Sequence, residues 1–323
     1  MSRTSAPSKL DVFLSEIDIP ADILGENNFA AQHHISVPLI VGHNPQQVLK
    51  FYLTLVKRTP AKKDQDHVPM VLWIGPYADP HSHPHNNQSD HHTVGILGGM
   101  GPLASAEMIR QYHGVMSGSS TSITLKMTNM LDRTGILLEQ DAEKQMQLKQ
   151  QFEIRSLAAT RFLTQMGAAS IVAACNTFHG LADEKLLPGL LSIIQATHDW
   201  VRQQHIRDIL FLGTDGTKKT GIYNNLPAAL HYPPANMQQK TMALIYSIKT
   251  QSQVTHDHVH DFMHLARQAH ASGMRHIGLF CTELPLVAND PRTRQALTEE
   301  GLDLNFIDPM FAVSQVLKKR RFD

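Results

Sequence analysis

The chain has 323 residues, with 29 lysines and arginines balanced by 29 aspartates and glutamates. This balance gives no basic footprint for nucleic acid, and no apolar run is long enough to span a membrane. Two cysteines cannot make the disulfide framework of a small secreted domain, and a chain of this length buries a core without staples, so free thiols and a cytoplasmic protein are expected.

The opening segment, "MSRTSAPSKLDVFLSEIDIPADIL", lacks the continuous apolar core of a secretory signal. Residues 37–73, "VPLIVGHNPQQVLKFYLTLVKRTPAKKDQDHVPMVLW", read as a strand, a helix and a second strand. They align without gaps to the stretch that begins at Val94, placing Gly42 on Gly99 and Pro45 on Pro102. A partial duplication is therefore expected, with residues 37–80 as a degenerate first copy. That copy carries His43 and Asn44 where the later one has Met100 and Gly101. Residues 79–92, "DPHSHPHNNQSDHH", read as an exposed linker. Residues 1–92 thus form an N-terminal extension. It could add a strand and helix at a sheet edge, cover a cleft, or replace the same element of a partner chain.

From Thr93 onward, apolar runs of strand length alternate with helical patterns, the signature of an α/β fold with parallel sheets. "TVGILGGMGP" (93–102) and "DILFLGTDGT" (208–217) both read as a buried strand, a glycine-containing turn and the start of a helix. "MGAASIVAACNT" (166–177) and "SGMRHIGLFCTE" (272–283) both run from a helix-ending glycine through a strand into cysteine. The interval from Gly167 to Cys175 equals that from Gly273 to Cys281. Loops at the carboxyl ends of parallel strands form the usual ligand crevice. Asn176, Thr177 and Thr282 suit helix N-caps, and Pro285 suits a first helical turn. A thiol at such a place is favoured as thiolate. Two activated sulfurs converging on one cleft are expected, the alternative being a cysteine used as a small buried hydrophobe. His256, His260 and His264 in "HDHVHDFMH" share one helical face, a spacing compatible with metal. A solvated face without metal is the expectation there, and "KKRR" near the end complements a last helix.

"GILGGMGP", "NMLDRT", "ACNTFH", "LGTDGT", "ALIYSIK" and "CTELPL" occur in an order that resembles the pyridoxal-phosphate-independent aspartate/glutamate racemase superfamily. The resemblance covers residues 93–323 and is closest to the aspartate racemase branch. Glutamate racemases typically carry an Asp-Ser pair in the first loop and a histidine after the second Cys-Thr; here those places hold Gly-Met-Gly and Glu283. The resemblance implies two Rossmann-like domains related by pseudo-twofold symmetry, one of residues 93–205 with 306–323 and one of residues 206–305. It also implies an active site at their interface, a homodimer, and no cofactor.

By the same resemblance, Cys175 and Cys281 are the catalytic pair, one removing the Cα proton and the other supplying a proton to the opposite face. Arg133 matches a substrate-carboxylate contact and Lys249 a second cationic contact. Asn176, Thr177, Thr217 and Thr282 match polar contacts to the substrate. Read from the residues themselves, Glu283 either accepts from a substrate ammonium or simply occupies a first helical turn, where a carboxylate is favoured, and Met100 shapes the glycine loop. The chemistry is physically coherent, because carbanion character at Cα spreads onto the carboxylate, where fixed donors and a forked guanidinium stabilise it. A small amino acid, aspartate or glutamate or a broader set, is the implied substrate. A maleate isomerase, a hydantoin racemase-like enzyme and an idle amino-acid-binding protein are the alternatives on the same architecture.

Overall fold

The structure is a computed structural model. It describes residues 13–20, 34–42, 44–58, 70–75, 93–98, 102–116, 122–126, 133–251 and 253–322. Met100, the turn around it, the 59–69 segment and the histidine-rich 79–92 segment lie outside the described residues.

The chain builds two sheets. The first contains β1 (Phe13–Pro20), β2 (His34–Gly42), β3 (Met70–Ile74), β4 (Val94–Leu97), β5 (Ser122–Lys126) and β6 (Ser170–Ala173), in the order β1-β2-β3-β5-β4-β6. The second contains β7 (Asp208–Gly213), β8 (Ala229–His231), β9 (His276–Phe280) and β10 (Asn305–Ile307), all parallel, in the order β10-β9-β7-β8. Strands β3 and β4 are buried along their whole length, as expected for apolar runs covered on both faces of a sheet.

Helices α1 (Pro45–Arg58), α2 (Pro102–Val115), α6 (Ile193–Gln203) and α12 (Pro309–Phe322) cover one face of the first sheet. Val48, Tyr52, Ile109, Tyr112, Ile193 and Val313 meet β2, β3 and β4 there. Helices α3 (Arg133–Leu138), α4 (Ala142–Gln165) and α5 (Asn176–Leu181) cover the other, with Phe152, Leu163 and Phe178 against Leu97, Ile123 and Ile171. Around the second sheet lie α7 (Asp215–Thr220), α8 (Ala235–Gln251), α9 (His256–Ala271), α10 (Leu284–Ala288) and α11 (Pro291–Glu299). Residues 305–307 belong to the second sheet as β10, and the chain then crosses back at Asp308 so that α12 packs on α2 and α6. Phe306 and Ile307 therefore pair into the second sheet, not the first.

The two cysteine-bearing stretches are built alike. Helix α4 closes on Gly167 and α9 on Gly273, both left-handed, with φ of +94° and +84°. Ala168 N bonds Leu163 O at 3.0 Å, and Met274 N bonds Ala269 O at 3.1 Å. This is one glycine-dependent helix termination used twice. Each launches a strand, β6 or β9, that delivers a cysteine just past its carboxyl end.

The front copy forms a true strand-helix-strand unit, with β2 and β3 parallel and α1 between them. Helices α1 and α2 each have 14 residues and each begin on proline, so the gap-free alignment holds through the helix. It fails at the return strand. Leu39 lies beside Val71, 32 residues on, whereas its equivalent Ile96 lies beside Thr124, 28 residues on. The first copy thus carries four more residues between helix and strand, a lengthening of a connection that costs little. Strand β3 pairs antiparallel with β5, so the front copy enlarges the first sheet. The β2–α1 turn opens at the opposite edge from the loop that carries Cys175, which removes it as a cover for that loop.

Candidate active site

Cys175 follows β6 and is itself the N-cap of α5, extended at φ −163° and ψ 118°, with no side-chain cap bond. Asn176 and Thr177 therefore open the helix instead of capping it. In the second half, Cys281 and Thr282 precede Glu283, which caps α10, and Pro285 sits in the first turn. The expected N-cap roles of Asn176, Thr177 and Thr282 are not adopted, because each chain turns one residue earlier or later than the sequence pattern suggests. Both thiols are free and buried, at 8% and 5% exposure.

These loops face each other across a narrow cleft. From the first sheet, Cys175, Asn176 and Thr177 line it; from the second, Thr217, Lys249, Cys281, Thr282 and Glu283 do. Those residues stand out in the sequence and are brought together. Of the remaining candidates, Met100 is outside the described residues, and Arg133 is described only as the first residue of α3, a helix packed on α5 and α7. Gly180 permits close contact between α5 and α7, since a Cβ there would lie 2.7 Å from Thr220 Cβ.

Sequence reasoning missed Thr214. It caps α7 by accepting from Thr217 N at 3.1 Å, and its hydroxyl lies 3.0 Å from Thr217 Oγ1 and 3.4 Å from Thr177 Oγ1. Thr177 and Thr217 complete the triangle at 3.1 Å. The strand-turn-Thr pattern "LGT" was the available signal, but only the fold shows that this hydroxyl reaches the cleft. Tyr223 was also missed. It donates to Asn176 Oδ1 and stacks on Phe280 with ring centroids 3.9 Å apart. Asn176 Nδ2 is buried without a partner among the described residues, a donor held at the cleft.

The electrostatics differ at one point from expectation. Cys281 Sγ donates to Glu283 Oε2 at 2.9 Å, and burial, reinforced by the Glu283 charge, pushes its thiol well above the ordinary range. Lys249, 8% exposed with Nζ 4.0 Å from Glu283 Oε1, opposes that shift. Helix-end activation of this thiol is thus overridden. Helix α10 has only five residues, while desolvation of a buried anion is large. His179 pairs through Nδ1 with Glu184 Oε1 at 2.5 Å.

Among the described residues no group of three His, Cys, Asp or Glu side chains is disposed to hold a metal ion. His256 meets Arg292 at 3.3 Å, and His264 meets Lys240 at 2.6 Å. His260 sits 3.5 Å from Asp261. No helix among the described residues is long and apolar enough to cross a membrane.

Residues 97–315 match the sequence profile of the family described as Asp/Glu/Hydantoin racemase. The Picrophilus torridus aspartate racemase has a similar structure, with a TM-score of 0.56 at 21% identity over 71% of this chain and 94% of that one. An Asp/Glu racemase candidate from Yersinia pestis gives 0.52 at 19% identity over 72% of this chain and 99% of its own. An aspartate racemase homologue from Pyrococcus horikoshii OT3 gives 0.50 at 15% identity over 72% and 100%. At these identities the structural likeness speaks for the fold.

Proposed function

Because the chain belongs to the Asp/Glu/hydantoin racemase family, and is an isomerase of the racemase class, we propose that it inverts Cα of a small amino acid by proton transfer between Cys175 and Cys281. Aspartate and glutamate are the first candidates as substrates. The observation that carries this reading is that thiols from the two matched strand ends line one cleft.

In this mechanism one sulfur, as thiolate, takes the Cα hydrogen while the other, as thiol, gives a hydrogen to the opposite face. One C–H bond breaks as one S–H forms, and the reverse happens across the plane, so each turnover exchanges the protonation states of the pair. Cys281 is hydrogen-bonded to Glu283 and its thiol is raised by burial, which suits it to hold a proton. It serves as donor and Cys175 as base for one enantiomer.

For the other enantiomer Cys281 must lose its proton. A substrate ammonium beside Glu283 would occupy the carboxylate that holds the Cys281 hydrogen and repels its anion, and Lys249 favours the thiolate further. Substrate binding therefore lowers the barrier to using Cys281 as a base. Asn176 Nδ2 and the Thr177, Thr217 and Thr282 hydroxyls supply donors for the carboxylate that accumulates charge. Arg133 is assigned the forked contact to a carboxylate, and Met100 the wall of the glycine turn.

The test is incubation with single enantiomers of aspartate and glutamate in heavy water. Racemisation with deuterium incorporated at Cα is expected. Tight binding of an amino acid without exchange at Cα would replace the enzyme reading with that of a binding protein.

A further inference from the structure

Strand β5 does not end the first sheet; its outer edge is occupied by β3 of the front copy. The geometry of that junction is that of a twofold contact between two copies of one element. Leu39 and Ile40 of β2 lie beside Val71 and Leu72, and their equivalents Ile96 and Leu97 of β4 lie beside Thr124 and Leu125. Val71 thus corresponds to Thr124, and Leu72 to Leu125. Across the junction Val71 faces Leu125 and Leu72 faces Thr124. Exchanging the two copies reproduces the same ladder, with its axis near the middle of both strands.

The helices obey the same relation. Because β2 and β4 run oppositely, α1 and α2 run oppositely too, on the same face of the sheet. They pack together, and Tyr52 OH donates to Pro102 O at 3.3 Å. Val48, Tyr52, Met70 and Leu72 share one buried cluster with Ile96, Ile109 and Tyr112. This is the form of an isologous interface, in which one surface meets its own likeness.

We infer that the front copy is a built-in partner: it fills, from within the chain, the β5 edge that a second copy of the chain would otherwise pair with, so that the protein is a monomer with one active cleft. An unpaired β5 would expose a row of backbone donors and acceptors, a template for another chain. Here that edge is consumed. The first copy is also shut as a ligand cradle. Asn44 Oδ1 accepts from Gln46 N at 2.9 Å and from Gln47 N at 3.3 Å, so the α1 N-terminus is satisfied by its own side chain. The carboxyl end of β2 points to the opposite edge from the Cys175 loop.

The inference is independent of the chemistry proposed above and is tested on the full chain. Sedimentation or light scattering should give the monomer mass of 36.1 kDa across the micromolar range; a dimer overturns it. A Trp73→Cys, Ile123→Cys double variant, whose backbones are ladder partners, should form a disulfide within one chain on mild oxidation. A covalent dimer would mean that the edge is filled by another chain's copy, and failure to cross-link at all would refute the pairing itself. If the double variant does not fold, the mass of the unaltered protein still decides.

Discussion

The Cys281 thiol donates to Glu283 Oε2 across 2.9 Å, which places a carboxylate directly against one of the two sulfurs of the cleft. Burial and the adjacent carboxylate both raise the thiol, so thiolate appears only above the ordinary cysteine range. Glu283→Gln removes the charge while keeping an acceptor. Its Cys281 should alkylate with iodoacetamide at lower pH than in the parent protein, as read by peptide mass spectrometry that separates it from Cys175. Racemisation should fall nonetheless, because the contact proposed for the substrate ammonium is lost. An unchanged alkylation profile would show that Glu283 does not control the thiol.

Cys175→Ala and Cys281→Ala should each abolish racemisation in both directions. One-sided exchange is the informative remainder. With Cys281 absent, a Cys175 thiolate can still wash deuterium into the enantiomer whose Cα hydrogen faces it, detectable by proton NMR without inversion. Racemisation at the parent rate in either variant would eliminate the two-thiol mechanism.

The triangle of Thr177, Thr214 and Thr217 joins the loops of the two sheets. Thr214→Val keeps the shape but removes the α7 cap acceptor and two hydroxyl contacts. A loss of about 1–2 kcal/mol in urea unfolding is expected, with Thr214→Ser recovering most of it. KM should rise more in Thr214→Val than in Thr214→Ser, because the cleft loses the residue that orients its neighbours.

Asp308, buried at the crossover into α12, is pushed up to about 7 by burial, with the Glu107 charge adding to the rise. Its folded-state pKa lies above the unfolded value, so its contribution is complete in acid and is lost as pH rises from about 4 through 7. The loss is on the order of 4 kcal/mol at full expression. Asp308 should therefore lower the urea midpoint between pH 5 and pH 8, against His113, whose pKa is lowered to about 4 by burial and which acts in the opposite sense. Asp308→Asn should flatten that slope while retaining an acceptor for Met310 N, now at 2.9 Å from Asp308 Oδ1. An unaltered slope in that variant would assign the pH dependence elsewhere.

Much of the site was legible because it is written in local patterns. The equal intervals from Gly167 to Cys175 and from Gly273 to Cys281 follow from one helix termination leading into a short strand, both determined by neighbours in sequence. What escaped depends on distant packing. Thr214 becomes a cleft residue only when α5 meets α7, with Gly180 against Thr220. The upward shift of Cys281 arises from burial and from where the Glu283 side chain turns, which composition does not encode. The duplicated unit was visible through Pro45 and Pro102, but its four-residue difference and antiparallel junction were not, since strand partners are chosen in three dimensions.

The residues that follow the two cysteines differ, Asn176 and Thr177 after Cys175 and Thr282 and Glu283 after Cys281, so that the second position sets a neutral Thr177 against an acidic Glu283. Mirror-image amino acids have equal free energies in solution, so a Haldane relation holds kcat/KM identical for the forward and reverse conversions whatever the catalyst looks like. The Thr/Glu mismatch cannot alter that ratio. It must instead surface as one enantiomer bound more tightly and turned over proportionally more slowly than its mirror image.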